Sequence, residues 1–258
     1  HGVGQGAVPF GAALLIESMG WRGAMTALGI ITLATLLPLA MLLRQPPAPA
    51  ATTAAVEESP QLPTGIVIVA MSVAVLGCCA GMSVPLMHLV PLIQGCGISG
   101  PEAGSVLLTL MIAAIVGRVA FGKLADMIGA IPAYMTSVAW QTLLVFGFTF
   151  FGSLEAFYVF AAIYGFGYGG VMTGVLTSTR MLTPPAQRAS ATGIVLAFAW
   201  LGHGLGGWQG GLFYDLTGSY GVSYANAAFA GVVNLAIMGS ILLALYRVRM
   251  RRGGLAGK

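Results

Sequence analysis

Seven long apolar runs divide this chain, and almost all of its positive charges fall in alternate gaps between them. The runs cover residues 24–43, 64–93, 103–121, 130–151, 156–179, 189–213 and 224–246. Each is close to or above the roughly 20 residues that an α-helix needs to cross a hydrocarbon core about 30 Å thick. Only 7% of the residues are charged and 57% are hydrophobic, which is untypical of a water-soluble domain. We therefore predict an all-α, polytopic membrane helix bundle.

The charges predict the orientation of this bundle. Four arginines between residues 247 and 252 follow the last run, and a basic tail beside a span is typical of a cytoplasmic surface with anionic lipid. With that tail inside the cell, strict alternation puts ten of the 11 Lys and Arg residues near the cytoplasm and only Arg22 outside. The net charge of +4 thus indicates membrane lipid, not nucleic acid, as a partner. We predict an integral protein of the bacterial inner membrane with a cytoplasmic C-terminus.

The chain divides into three segments. Residues 44–63 are rich in Pro, Ala and Thr and have no apolar periodicity, which is typical of a linker. The segment before it, residues 1–43, contains an eighth and shorter apolar run at 2–16. Because the first residue is His1 and no charged segment precedes this run, we interpret it as a cut helix and not as a signal peptide. The third segment, residues 64–258, holds six spans and the basic tail, and the whole is expected to be a fragment.

Residue types that mark enzymes and metal sites are scarce in the spans. Cys78 and Cys79 are adjacent and point to different sides of a helix, so together with Cys96 they predict packing residues, not a disulfide or a metal site. The spans contain no H-E-x-x-H, no G-x-S-x-G and no pair of carboxylates. We predict a protein that is not an enzyme and that has no cofactor and no metal.

A loop motif narrows the fold. Residues 122–129 read GKLADMIG, which resembles the signature G-x-L-A-D-R-x-G of the major facilitator superfamily in its second-lobe copy, with Met127 in place of the Arg. GWRGAM at 20–25 and HLVPLIQGCGIS at 88–99 resemble the branch of monocarboxylate transporters and oxalate:formate antiporters.

The resemblance implies two six-helix lobes joined by a cytoplasmic linker. On that basis residues 1–43 are the end of the N-terminal lobe, with part of its fifth helix and its sixth. Residues 44–63 are the cytoplasmic linker, and residues 64–258 are the complete C-terminal lobe with its basic tail. The missing N-terminal helices of the same protein are then partners of this chain.

Within the loop motif we predict a conformational role for Gly122, Asp126 and Gly129. A glycine such as Gly122 at the end of a helix permits a sharp reversal. Asp126, near the start of the next helix, would satisfy free backbone N–H groups at the positive end of the helix dipole. The resemblance implies that Asp126 latches the cytoplasmic face when that face is closed. The alternative is a plain charged turn.

Arg118 is the most costly side chain in the sequence. An Arg at the centre of a span costs about 2.5–3.5 kcal/mol on insertion scales, so such a residue usually faces a cavity or a partner. Arg118 lies four residues before Gly122, as an Arg does in the eighth helix of monocarboxylate transporters. The resemblance implies that Arg118 binds the substrate carboxylate. The alternatives are that it snorkels to the cytoplasmic surface or braces the loop through Asp126.

Two histidines and two tyrosines complete the predicted site. His203 lies in a Gly-rich span, where a neutral imidazole can bind a carboxylate or take up a proton. His88, between two prolines, is a second candidate proton carrier. Tyr164 and Tyr168 share one face of a helix and are candidates for lining a substrate pocket. For all four residues, packing between helices is the alternative.

These observations lead to one main hypothesis and two alternatives. The main hypothesis is a secondary active transporter that moves a small organic anion, a monocarboxylate or a dicarboxylate, by alternating access. Proton symport, antiport and facilitation all remain open. An efflux pump for amphipathic compounds with the same fold is the first alternative, because methionines and aromatic residues accept varied apolar ligands. The second is a membrane sensor that binds its ligand without moving it.

Overall fold

The computed structural model describes residues 2–42 and 62–255, in which the regular structure is helical throughout. The helices are α1 (Gly2–Leu42), α2 (Thr64–Gly95), α3 (Gly100–Ile128), α4 (Ala130–Val145), α5 (Leu154–Leu182), α6 (Arg188–Thr217) and α7 (Gly221–Leu255). Seven segments of the described chain are long and apolar enough to cross a membrane, which confirms the predicted membrane helix bundle. The predicted linker, apart from Leu62 and Pro63, lies outside the described residues.

Polar side chains and glycines set several helix ends. α3 begins with a capping box, in which the Ser99 hydroxyl accepts from the Glu102 N–H while the Glu102 carboxylate accepts from the Ser99 N–H at 3.2 Å. Ser153 caps α5 by accepting from the Ala156 N–H. α6 ends at Gly218, whose left-handed backbone, with φ 69°, favours glycine.

The apolar runs at 2–16 and 24–43 are parts of one helical segment, α1, which is broken at Gly20. The backbone of Gly20 has φ 73° and ψ 167°, and a residue with a side chain rarely adopts such a conformation. α1 packs along α3, where Phe10 lies against Gly104. The second half of α1 is largely exposed.

α3 extends further than its apolar run indicates. The run ends at residue 121, but the helix continues through Gly122 and Asp126 to Ile128. The reversal into α4 takes place at Gly129, which has φ 95°. The apolar run does not show this extension, because the polar residues that follow it end the run but can still form a helix outside the hydrocarbon core.

The closest helix pair is α3 with α5. A Cβ atom at Gly165 or Gly169 of α5 would overlap the carbonyl oxygens of Leu110 and Ala114 in α3. Small residues let helix backbones approach in this way, and the resulting contacts stabilise the pair. The glycine spacing of this span therefore reflects helix packing.

α2 and α6 form a second pair of the same kind. A Cβ atom at Gly202 or Gly206 of α6 would overlap the carbonyl oxygens of Leu76 and Ala80 in α2. The glycines are spaced four residues apart, as in α5, so each contact face runs along one side of its helix. The two pairs form most of the bundle, and α4 and α7 pack against them.

A buried polar side chain joins three helices of the bundle. Asn234 of α7 donates from Nδ2 to the carbonyl oxygen of Ala74 in α2 and to the hydroxyl of Tyr134 in α4, both at 2.7 Å. Asn234 and Tyr134 are fully buried. Hydrogen bonds of this type join helices in membranes, where neither group has water as an alternative partner.

Candidate functional site

Arg118 is half-buried and lines a pocket between helices of the bundle. It stands ten residues before the end of α3, which is about 15 Å at 1.5 Å per residue. Its Nε atom is buried and has no hydrogen-bond partner, and no described acidic group pairs with it. A snorkelling arginine keeps its charged head in water, and a bracing arginine would contact Asp126. Arg118 makes no contact of this kind with Asp126 in the described chain, and its buried Nε faces no water.

A pocket of four helices opens beside Arg118. Its open space is about 420 Å³, part of which is continuous with the exterior. Its walls include Met82 of α2, Arg118 of α3, Tyr168 and Met172 of α5, and Trp200 and His203 of α6. Tyr168 and His203 lie near the middle of their helices, so the pocket lies near mid-depth of the bundle. Three of the four predicted binding residues thus meet in one place.

One ring nitrogen of His203 makes a hydrogen bond in the described chain, and the other, which we call open, does not. Nδ1 lies 3.0 Å from the carbonyl oxygen of Ala199, and because a carbonyl only accepts, Nδ1 carries the proton and donates. A neutral ring then keeps its lone pair on Nε2, to which no described residue donates. Nε2 can therefore accept a hydrogen bond from a ligand.

Tyr164 is separated from the pocket although it lies one turn from Tyr168. The two rings are 6.3 Å apart, and Tyr164 packs edge-on against Phe148 at 5.2 Å. One turn along α5 is about 5.4 Å, which is enough to move Tyr164 under the cover of α4 and its 3₁₀ extension, Phe146–Phe150. The predicted substrate contact of Tyr164 is therefore not present in this arrangement.

His88 joins two helices instead of facing the Arg118 pocket. Its Nε2 donates to the carbonyl oxygen of Gly207 in α6 at 2.8 Å. Its ring lies 5.4 Å from the ring of Tyr220. Burial raises the pKa of Tyr220, and Tyr214 and Asp215 raise it further, so this neighbour of His88 stays neutral at physiological pH. The packing alternative describes His88 in this structure.

The loop motif differs in detail from its predicted geometry. Gly122 lies inside α3, and a Cβ atom there would have no heavy atom within 4 Å, so neither a turn nor a close contact requires glycine. Asp126 is exposed in the last turn of α3 and makes no hydrogen bond to the start of α4. Gly129 is the turn residue, and its N–H donates to Ala125. The conformational role of these three residues stays a prediction.

Several buried polar residues escaped the sequence analysis. Gln141 and Thr142 in α4 and Asn234 in α7 are buried in the bundle. The signal that would have found them is their polarity within apolar spans, because such side chains usually face another helix or a cavity. Their partners come from distant parts of the chain and could not be assigned from the sequence.

The comparisons with known proteins agree with this architecture. The family model described as Major Facilitator Superfamily matches residues 69–256. The chain belongs to this superfamily. It is also 29% identical over 227 residues to monocarboxylate transporter 11 of Homo sapiens, an alignment that covers 82% of this chain and 48% of that protein. The chain therefore spans about half the length of this relative.

Membership of the superfamily confirms the predicted fold class and an integral membrane protein. The superfamily is one of transporters, so the chain belongs to a transporter family and not to an enzyme family, as predicted. The likeness to a monocarboxylate transporter confirms the predicted resemblance to that branch.

Proposed function

We propose that the protein is a secondary active transporter that moves a small organic anion by alternating access, and that Arg118 binds the carboxylate of this anion. The observation that carries the proposal is the buried and unpartnered Nε of Arg118 beside an open pocket. A guanidinium in a low-dielectric site is stabilised by a counter-charge, and its planar fork suits two carboxylate oxygens. An anion in the pocket supplies what the described residues do not.

The walls of the pocket favour a monocarboxylate over a dicarboxylate. Arg118 is the one permanently charged residue among the lining residues of the described chain. Met82, Met172 and Trp200 give the pocket an apolar side, where a second carboxylate would be buried without a partner at high cost. A carboxylate with an apolar body fits both sides. The similarity to monocarboxylate transporter 11 supports the same choice.

We further propose that His203 carries a proton with the anion. His203 lines the same pocket as Arg118, its Nε2 has no partner among the described residues, and a protonated imidazole can donate to the second oxygen of the carboxylate. Anion and proton would then enter together with no net charge. Symport of this kind is the coupling that we expect.

The proposal also assigns a place to each segment of the chain and to the lobe that precedes it. Residues 1–43 would end the N-terminal lobe, residues 44–63 would form the cytoplasmic linker and residues 64–258 the C-terminal lobe. The missing N-terminal helices would supply the opposite wall of the site, since transporter sites form between repeats near the bilayer midplane. We place the protein in the bacterial inner membrane with its C-terminus inside the cell. Reporter fusions at Lys123 and Arg188 should then fall on one side.

The test is transport by the full-length protein in liposomes, with radiolabelled aliphatic and aromatic monocarboxylates and with dicarboxylates. Arg118→Gln should weaken the apparent affinity about 10- to 100-fold, because hydrogen bonds to charged groups contribute about 1.5–3 kcal/mol. Arg118→Lys should restore only part of it, since an ammonium lacks the planar fork. Lys123→Gln, an exposed cation on the same helix, is the matched control and should transport normally. The proposal is refuted if no carboxylate is taken up, or if the uptake does not depend on Arg118.

An efflux pump for amphipathic compounds is the second candidate. The thioethers of Met82 and Met172 and the ring of Trp200 are adaptable apolar walls that favour it. A strain that lacks the gene would then be more sensitive to amphipathic drugs, and Arg118→Gln would not change that sensitivity. A sensor would bind a carboxylate through Arg118 without any flux in the liposome experiment.

A further inference from the structure

A second and smaller cavity lies where α2, α4, α5 and α7 meet. Its empty space is about 150 Å³, a volume that includes space open to the exterior. It is lined by Gly81, Gln141, Thr142, Val145, Tyr164 and Ala227, all of which are buried. None of these residues lines the pocket of Arg118. The proposed transport site does not account for this cavity.

Two polar atoms at this cavity have no partner in the described chain. Gln141 is 4% exposed, and its Nε2 donates to the Cys78 sulfur at 3.4 Å, while its Oε1 is buried without a hydrogen bond. Thr142 is 9% exposed, and its Oγ1 is also buried without a hydrogen bond. A buried polar group without a partner costs about 1–3 kcal/mol. Two such atoms on neighbouring residues at one cavity indicate a ligand between them.

Protein side chains cannot fill this role at the present spacing. On the far side of Thr142, α7 approaches so closely that a Cβ atom at Gly231 would overlap the Thr142 hydroxyl. On the side of α2, a Cβ atom at Gly81 would come within 2.8 Å of the Ala227 carbonyl oxygen. The surrounding helices are in contact, and only a very small molecule fits among them.

We propose that this cavity binds one ordered water molecule that bridges Gln141 Oε1 and Thr142 Oγ1. Water can donate to the amide oxygen and exchange a hydrogen bond with the hydroxyl, which gives it two of the two to four partners that buried waters have. The Tyr164 hydroxyl has no hydrogen bond to a described residue, and Tyr164 lines the same cavity, so it is a candidate third partner.

The lining chemistry selects water over the other small ligands. An apolar cavity of similar size would stay dry, but two residues that line this one, Gln141 and Thr142, each carry an oxygen without a partner in the described chain. A sodium ion would need several oxygen ligands and a compensating charge. The cavity has no carboxylate among its lining residues, and an uncompensated ion in a low-dielectric interior is strongly disfavoured. Through the Tyr164 hydroxyl, the bound water would also join α4 to α5.

The sign of a stability change tests the proposal. Thr142→Val replaces the hydroxyl by a methyl group of similar size. If the water is present, the substitution removes one of its partners and should lower the melting temperature, by about 2–4 °C for a loss near 1 kcal/mol in a protein of this size. In a dry cavity it removes an unsatisfied hydroxyl and should raise the melting temperature. Ser178→Ala is the matched control, because Ser178 Oγ is buried without a partner and lines neither cavity, so its loss should not destabilise.

Melting of the full-length protein in detergent can be followed with a maleimide fluorophore that reacts with buried Cys78 and Cys79 once unfolding exposes them. No change or a rise on Thr142→Val overturns the proposal. The proposal is also overturned if the wild type melts at a higher temperature in sodium chloride than in choline chloride and Thr142→Val abolishes this difference. That result would indicate a bound cation. If the variant does not fold, high-resolution density of the wild type decides: a peak within hydrogen-bonding distance of Gln141 and Thr142 supports the water, and an empty cavity refutes it.

Discussion

The imidazole of His88 donates a hydrogen bond from Nε2 to the carbonyl oxygen of Gly207 at 2.8 Å, and so ties the C-terminal part of α2 to α6. This bond depends on a glycine one turn further along α6. A Cβ atom at Gly210 would overlap the imidazole, whereas a Cβ atom at Gly211 would have the His88 ring no closer than 4.0 Å. Two adjacent glycines thus differ sharply in what a methyl group would meet.

We expect Gly210→Ala to destabilise the protein by about 1–3 kcal/mol, the usual cost of overpacking, because the ring must move and lose its hydrogen bond. Gly211→Ala, the matched control, should be close to the wild type. The melting temperatures of both variants in detergent measure the difference. Equal stability of the two variants would contradict this account of the His88 contact.

The contact between α3 and α5 makes a second prediction. A methyl group at Gly169 would overlap the carbonyl oxygen of Ala114, which belongs to the backbone and cannot rotate away. Gly169→Ala should therefore destabilise by at least about 1–3 kcal/mol. Gly204 of α6 has no heavy atom within 4 Å of an added Cβ, so Gly204→Ala should be neutral or stabilising by up to about 1 kcal/mol through helix propensity. Loss of folded protein on Gly204→Ala but not on Gly169→Ala would reverse the assignment of the two faces.

Asn234 and Tyr134 provide a third prediction, on coupling. The Asn234 amide donates to the Tyr134 hydroxyl at 2.7 Å and to the Ala74 carbonyl at the same distance. A double-mutant cycle of Asn234→Leu and Tyr134→Phe isolates the first of these bonds. We expect a coupling energy of about 0.6 kcal/mol, the average of such bonds between membrane helices. Additive effects of the two substitutions on unfolding would show that the bond contributes nothing.

Part of this architecture was predictable because membrane helices obey simple constraints. The apolar runs predicted every span, since only a helix satisfies its own backbone in hydrocarbon. The four-residue spacing of Gly165 and Gly169 in an apolar span is typical of a close helix contact, and both glycines lie against the backbone of α3. Arg118, Tyr168 and His203 line one pocket, as expected of charged and polar side chains in spans, while their role in binding stays a prediction.

The remainder depended on contacts between distant residues. Periodicity places Tyr164 and Tyr168 on one face of α5, but Tyr164 packs against Phe148 and does not line the pocket. Nothing local in the sequence indicates that cover. The pairing of Asn234 with Tyr134 likewise joins residues 100 positions apart. The end of α3 was predicted too early because hydrophobicity reports the hydrocarbon boundary and not the end of the helix.

Replacing each of the two histidines of the spans by glutamine should have different effects on transport. This difference tests the proposed coupling of the anion to a proton. His203 has an open Nε2 in the pocket, whereas the Nε2 of His88 is committed to Gly207. Glutamine keeps hydrogen-bonding capacity but cannot take up a proton. In liposomes with a trapped pH indicator, His203→Gln should still exchange monocarboxylate for monocarboxylate but should no longer move protons with net uptake. His88→Gln is the matched control and should keep proton movement, with only a lower melting temperature. If His203→Gln moves protons with the anion at the wild-type ratio, His203 is not the carrier and its open nitrogen serves the anion alone.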